Sequence, residues 1–107
     1  MFVKNADVTR KEVNEGIARK ILAAAGKLMV VEVYFTKGAV GARHAHPHEQ
    51  ISYVVKGRFE ATIADEKTII RVGDTCYVPP DVIHGVVALE EGILLDIFTP
   101  QREDFLC

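Results

Sequence analysis

The chain has 107 residues and a mass of 11.8 kDa, enough for one domain with a single core and too short for two of ordinary size. Lys and Arg number 13 against 15 Asp and Glu, and a formal net charge of −2 offers no basic footprint for nucleic acid or anionic lipid. Apolar residues make up 49% and charged ones 26%; no apolar run approaches the ~18 residues of a membrane span and no signal-peptide pattern opens the chain, so a soluble, cytoplasmic protein is expected.

Two readings compete for the first element. Thr9 and Glu12 are spaced as a capping box, and Val13, Ile17 and Ile21 recur every four positions up to Gly26, which suggests a helix over about 10–25. Gly16 interrupts that pattern at a cost of ~1 kcal/mol, while Ile17, Arg19, Ile21 and Ala23 also fit a period of two. Strand from Gly16 onward is therefore placed ahead of helix. Apolar stretches follow at Leu28 to Thr36, Ile51 to Lys56, Phe59 to Ala64, Thr68 to Val72, Thr75 to Val78, Val82 to Leu89 and Ile93 to Thr99. Between them stand turn residues such as Lys56-Gly57, Gly73-Asp74, Pro79-Pro80-Asp81 and Glu91-Gly92. Val, Ile and Thr total 29 residues, and their stiff, branched side chains suit pleated strands. Phe59, Ala61 and Ile63 alternate with Arg58, Glu60 and Thr62, a half-buried antiparallel signature. An all-β sandwich or barrel forming one domain over residues 1–107 is expected. Cys76 and Cys107 form neither a disulfide framework nor a paired zinc spacing and are read as structural.

Three of the four histidines, His44, His46 and His48, fall within five residues and are followed by Glu49 and Gln50. On a strand, positions i and i+2 face the same way, so His44 and His46 would offer adjacent imidazoles to a divalent metal. Pro47 turns the chain, so that Gln50 opens the next strand beside the pair. His84 follows the Pro79-Pro80-Asp81 turn and supplies a fourth candidate. His48, next to Pro47, reads as an exposed turn residue.

Gly38, His44, His46, Gln50 and Gly57 match every spacing of the first cupin motif, and Gly73, Pro79 and His84 match the second. The chain departs from the motifs at Gln50 for Glu, Asp81 for Gly and Ala88 for Asn. The resemblance implies an all-β double-stranded β-helix, a jelly-roll barrel, with one metal ion in its mouth held by His44, His46, Gln50 and His84. Spacing favours Gln50 over its acidic neighbour Glu49. An amide in place of a carboxylate leaves the cation's charge uncompensated, which favours Lewis-acid chemistry on an anionic, oxygen-rich ligand. Imidazole suits Ni²⁺, Zn²⁺, Fe²⁺, Mn²⁺ and Co²⁺ alike, so the donor set does not choose among them.

The run from His44 to Gln50, together with Leu94 to Leu106, resembles the small single-domain cupins of the pectin-degradation type. These include enzymes that linearise 4,5-unsaturated uronates to 5-keto-4-deoxyuronate. The resemblance implies that Asp96, Phe98 and Arg102 line the pocket. Asp96 and Phe98 share strand parity, and a carboxylate in an apolar stretch is costly to bury without a task. In the implied mechanism the metal holds vicinal sugar oxygens, Arg102 pairs with the carboxylate, Asp96 moves a proton and Phe98 walls the ring. Arg19, Tyr53 and Arg58 are candidates to line the mouth, but each reads first as a structural or surface residue. A small sugar acid and a second copy of the chain, forming a homodimer, are the implied partners. The rival readings are another metal cupin activity, dioxygenation or decarboxylation, and a non-catalytic sugar-binding or sensor barrel.

Overall fold

The computed structural model describes residues 1–106; Cys107 lies outside the described residues. Ten strands carry the fold: β1 (Lys11–Asn14), β2 (Ile17–Ala25), β3 (Leu28–Phe35), β4 (Val40–His44), β5 (Glu49–Lys56), β6 (Arg58–Ile63), β7 (Glu66–Arg71), β8 (Thr75–Val78), β9 (His84–Ala88) and β10 (Gly92–Thr99). A single helical turn, α1 (Glu103–Leu106), follows them. The segment that carried two readings is β-structure. Gly16, at φ +73°, forms the β1–β2 turn, and a Cβ there would stand 2.5 Å from Thr36 Oγ1, so neither a helix nor a larger residue fits.

The strands form two antiparallel sheets, one ordered β1-β2-β3-β10-β5-β8 and the other β4-β9-β6-β7. They face each other as a jelly roll, as the motif resemblance implies. Strand β5 alternates strictly: Gln50, Ser52 and Val54 are buried, whereas Glu49, Ile51, Tyr53 and Val55 are exposed. In β6, Phe59 and Ala61 point inward as their alternation predicts, but the pattern breaks at Thr62, which is buried.

One end of the interior is filled by Ile17, Phe35, Val54, Phe59, Ala61, Ile70, Ala88 and Leu94, with the Phe35 and Phe59 rings edge to face at 5.1 Å. A second cluster of Met29, Val31 and Phe98 lies between the middle strands of the larger sheet and Phe105 of α1. Between the sheets an open cavity of about 390 Å³ remains, apolar at its base through Val33, Phe35, Val86 and Leu94. Its polar lining holds most of the expected site residues. No helix among the described residues is long and apolar enough to cross a membrane.

Candidate metal centre

His44 and His84 are direct partners across the β4–β9 ladder, with ring centroids 4.4 Å apart. An irregularity between Gly41 and His44 sets this register, and β4 and β9 approach so closely that a Cβ on Gly85 would lie 2.9 Å from the Gly41 carbonyl. His46 joins them by a route other than the strand pleat expected from its spacing. Strand β4 ends at His44, and His46 follows in irregular chain whose carbonyl accepts a hydrogen bond from the Asp81 N–H at 2.8 Å. That contact depends on Asp81 adopting φ +64°, the left-handed conformation for which the second motif ordinarily carries glycine. The His46 ring centroid lies 5.5 Å from that of His44 and 4.8 Å from that of His84.

The three rings share one orientation device. Each Nδ1–H donates to a nearby main-chain carbonyl: His44 to Ala42 at 2.8 Å, His46 to His48 at 3.1 Å and His84 to Val82 at 2.9 Å. For His44 and His84 this fixes the tautomer and leaves Nε2 with a free lone pair, whereas His46 has an oxygen at each ring nitrogen, the His48 carbonyl and Gln50 Oε1. Burial also pushes the pKa values of His46 and His84 below the ordinary histidine value, favouring the neutral ring a metal requires. The potential ligand atoms of His44, His46 and His84 lie within 4.8 Å of one another. His84 Nε2 is buried without any hydrogen-bond partner.

Gln50 faces the histidines from the opposite sheet rather than from a strand beside them. Its Nε2 donates to Ser52 Oγ at 3.0 Å, and Ser52 Oγ donates to Asp96 Oδ1 at 2.6 Å. With its amide nitrogen committed, Gln50 presents Oε1 to the histidines, 2.9 Å from His46 Nε2. That pair sets two lone pairs against each other unless a proton or cation lies between them. An orphaned buried nitrogen and converging lone pairs on three neutral imidazoles and one amide oxygen fit a divalent metal. Glu49 points away from the site and accepts a hydrogen bond from the Tyr77 hydroxyl at 2.5 Å.

Asp96 and Phe98 line the cavity from β10, in the shared parity expected for them. Asp96 stands opposite Ser52 in the β10–β5 register, and Phe98 opposite Gln50. Burial raises the Asp96 pKa to about 6, against the lowering effects of the Ser52 hydrogen bond and of Arg102. Arg102 is buried and also lines the cavity; its Nε and Nη2 pair with Asp104 at 3.0 and 2.8 Å. Of the three residues weighed for the mouth, Arg19 lines the cavity from β2, whereas Tyr53 is exposed on the outer face of β5 and Arg58 is absent from the lining. His48 is half-buried, its ring 5.4 Å from that of His46, instead of standing exposed in a turn. Ser52 and Phe105 escaped sequence reasoning; Ser52 shared the inward parity of Gln50, and that was its available signal.

Residues 31–98 match the cupin domain family. The pectin degradation protein KdgF of Dickeya dadantii is 48% identical over 98 residues, spanning 90% of this chain and 89% of that protein. Among solved structures, KdgF from a Halomonas species superposes with a TM-score of 0.94 at 42% identity, covering 98% of this chain and 97% of the other. An RmlC-like cupin from Shewanella frigidimarina gives the same TM-score at 40% identity, covering 97% and 94%.

Proposed function

The chain belongs to the cupin family, and from that premise we propose that it is a metal-dependent enzyme opening 4,5-unsaturated uronate monosaccharides to 5-keto-4-deoxyuronate. One observation carries the reading. Beside a cluster suited to a divalent metal lies a carboxyl, Asp96, which lines the same cavity and is held there by a 2.6 Å hydrogen bond from Ser52, placed to accept and return a proton. The KdgF of Dickeya dadantii, to which the chain is similar, is named for pectin degradation, and a sugar acid suits such a site.

In this reading His44, His46, Gln50 and His84 would hold one divalent ion, which would supply Lewis acidity. Asp96 accepts the proton of the anomeric hydroxyl as the bond between C1 and the ring oxygen breaks, leaving an aldehyde at C1 and an enolate at C5. The same carboxyl returns that proton to C4, and C5 becomes the ketone. No atom is gained or lost, and no oxidant is needed. Ser52, by donating to Asp96, holds the carboxyl beside the reacting oxygens. Phe98 supplies an apolar wall for the sugar ring, and Arg102 receives the carboxylate. Residues 1–107 act as one domain. A cytoplasmic setting agrees with the free thiol of Cys76. Homodimer formation is supported by Ile51, Tyr53, Val55 and Tyr77, which stand 41–49% exposed on the outer face of the larger sheet.

The test follows ultraviolet absorbance of the conjugated 4,5 double bond in unsaturated galacturonate. Metal-loaded protein is expected to accelerate its loss; protein that accelerates the decay of no unsaturated uronate removes the proposed reaction.

A further inference from the structure

Two guanidinium groups meet at the rim of the metal cavity, and their circumstances differ. Arg102 has its fork engaged by Asp104, through hydrogen bonds of 3.0 and 2.8 Å. Arg19, on β2, lies with its Cζ 3.7 Å from the centroid of Phe105, while the Arg102 Cζ lies 4.2 Å from the same centroid. Among the described residues no salt bridge engages Arg19. Burial and the charge of Arg102 disfavour its protonated form by more than nearby Asp104 favours it, so a half-buried cation here gains from an added anion. Arg19 and Phe105 also line a second hollow on the far side of their stack, which carries Arg10 and Lys11. The charged lining of that hollow is basic, and Asp104 beside Arg102 offsets only part of the positive charge on this side, so the approach draws anions inward.

We propose that Arg19 is a substrate-binding, specificity-determining residue that receives the carboxylate of a uronic acid together with Arg102. The inference rests on the reading of the cavity as a sugar-acid site. Asp104 holds Arg102 in place before the ligand arrives, and Phe105 keeps the two guanidinium groups on a common ring. Arg19 brings the donors that no protein carboxylate occupies, so it separates acids from neutral sugars of the same shape.

A merely structural Arg19, packing α1 through Phe105, would affect acid and neutral ligands alike, and calorimetry can distinguish the two roles. Binding of galacturonate and of its methyl ester is measured on metal-loaded wild type, Arg19→Gln and Arg19→Lys, with metal content determined for each. Wild type is expected to prefer the acid, and Arg19→Gln to reduce that preference roughly 10- to 100-fold, the size of a lost hydrogen bond to a charged group. Arg19→Lys, which keeps the charge but not the planar fork, should retain part of the preference, and it decides the matter if Arg19→Gln does not fold. A wild type that binds acid and ester equally, or an Arg19 variant that weakens both in proportion or neither, overturns the inference. Wild type that prefers the acid through Arg19 yet opens no unsaturated uronate leaves this assignment intact while removing the proposed reaction.

Discussion

His44 and His84 lie forty residues apart in the chain and directly opposite one another across β4 and β9. Their Nδ1 atoms donate to the carbonyls of Ala42 and Val82, each two residues before its own ring, so the two strands aim their imidazoles by the same local device. His46, held through the His48 carbonyl, adds a third ring aimed in the same way. Such carbonyl acceptors set the tautomer and ring orientation before any ion arrives.

The reconstituted protein is accordingly expected to carry about one divalent ion per chain, and His46→Ala to lose most of it. Elemental analysis after dialysis measures both. Bound metal stabilises the folded state by mass action, so added ion should raise the wild-type melting temperature and leave the His46→Ala value nearly unchanged. Equal metal content in the two proteins would show that the ion binds elsewhere.

Gln50 and Glu49 make opposite predictions from adjacent positions. Gln50 faces inward beside His46, whereas Glu49 is exposed and engaged by Tyr77. Gln50→Ala should therefore release metal, Glu49→Ala should keep it, and Gln50→Glu should keep it with altered affinity, because a carboxylate offsets charge that the amide leaves. Titration with a competing chelator measures all three. Loss of metal in Glu49→Ala with retention in Gln50→Ala would reverse the ligand assignment.

The buried carboxyl of Asp96 predicts a pH dependence of stability in metal-free protein. Its folded pKa of about 6 lies above the ordinary 3.8, so the folded state holds this proton more tightly than the unfolded state. The resulting stability is complete below pH ~4 and is lost progressively as pH rises to about 6, above which the folded state carries the full cost of the ionised carboxylate. Asp96→Asn removes that titration. Chelated Asp96→Asn should be more stable than chelated wild type at pH 8, by on the order of 2 kcal/mol, with the advantage shrinking toward pH 4. Denaturant melts at the two pH values test this, and a difference independent of pH would contradict it.

The parts of the site legible in the sequence were those set by local spacing. The His44–His46–Gln50 run and the inward parity of Asp96 and Phe98 follow from a few consecutive residues and a strand period of two. Two positions differ from the strand geometry expected of them: His46 lies beyond the end of β4, and Gln50 faces the histidines from the opposite sheet. Ser52 was not legible, because its role depends on a register that places it opposite Asp96, 44 residues away. Arg19 shares the parity of Ile17, and a charge in an otherwise apolar alternation was its signal; a solvated face explained it equally well until Phe105 and Arg102 were placed against it.

The sharpest test of the proposed chemistry separates Asp96 from Arg102. Ser52 donates to Asp96 Oδ1, and an asparagine carbonyl in that position accepts the same hydrogen bond, so Asp96→Asn should preserve the fold, the metal and the binding of sugar acid. It cannot exchange a proton as the carboxyl does, and turnover should fall by roughly 10²- to 10⁴-fold, the usual effect of removing a general acid or base. Arg102→Ala removes a cation from the rim, along with its pairing to Asp104, without touching the proton path, and should act mainly by raising KM. Steady-state kinetics on unsaturated galacturonate, with metal content determined for each variant, distinguish the two patterns. An active Asp96→Asn enzyme would leave the ring-opening reaction in place and transfer the proton-moving role to another group.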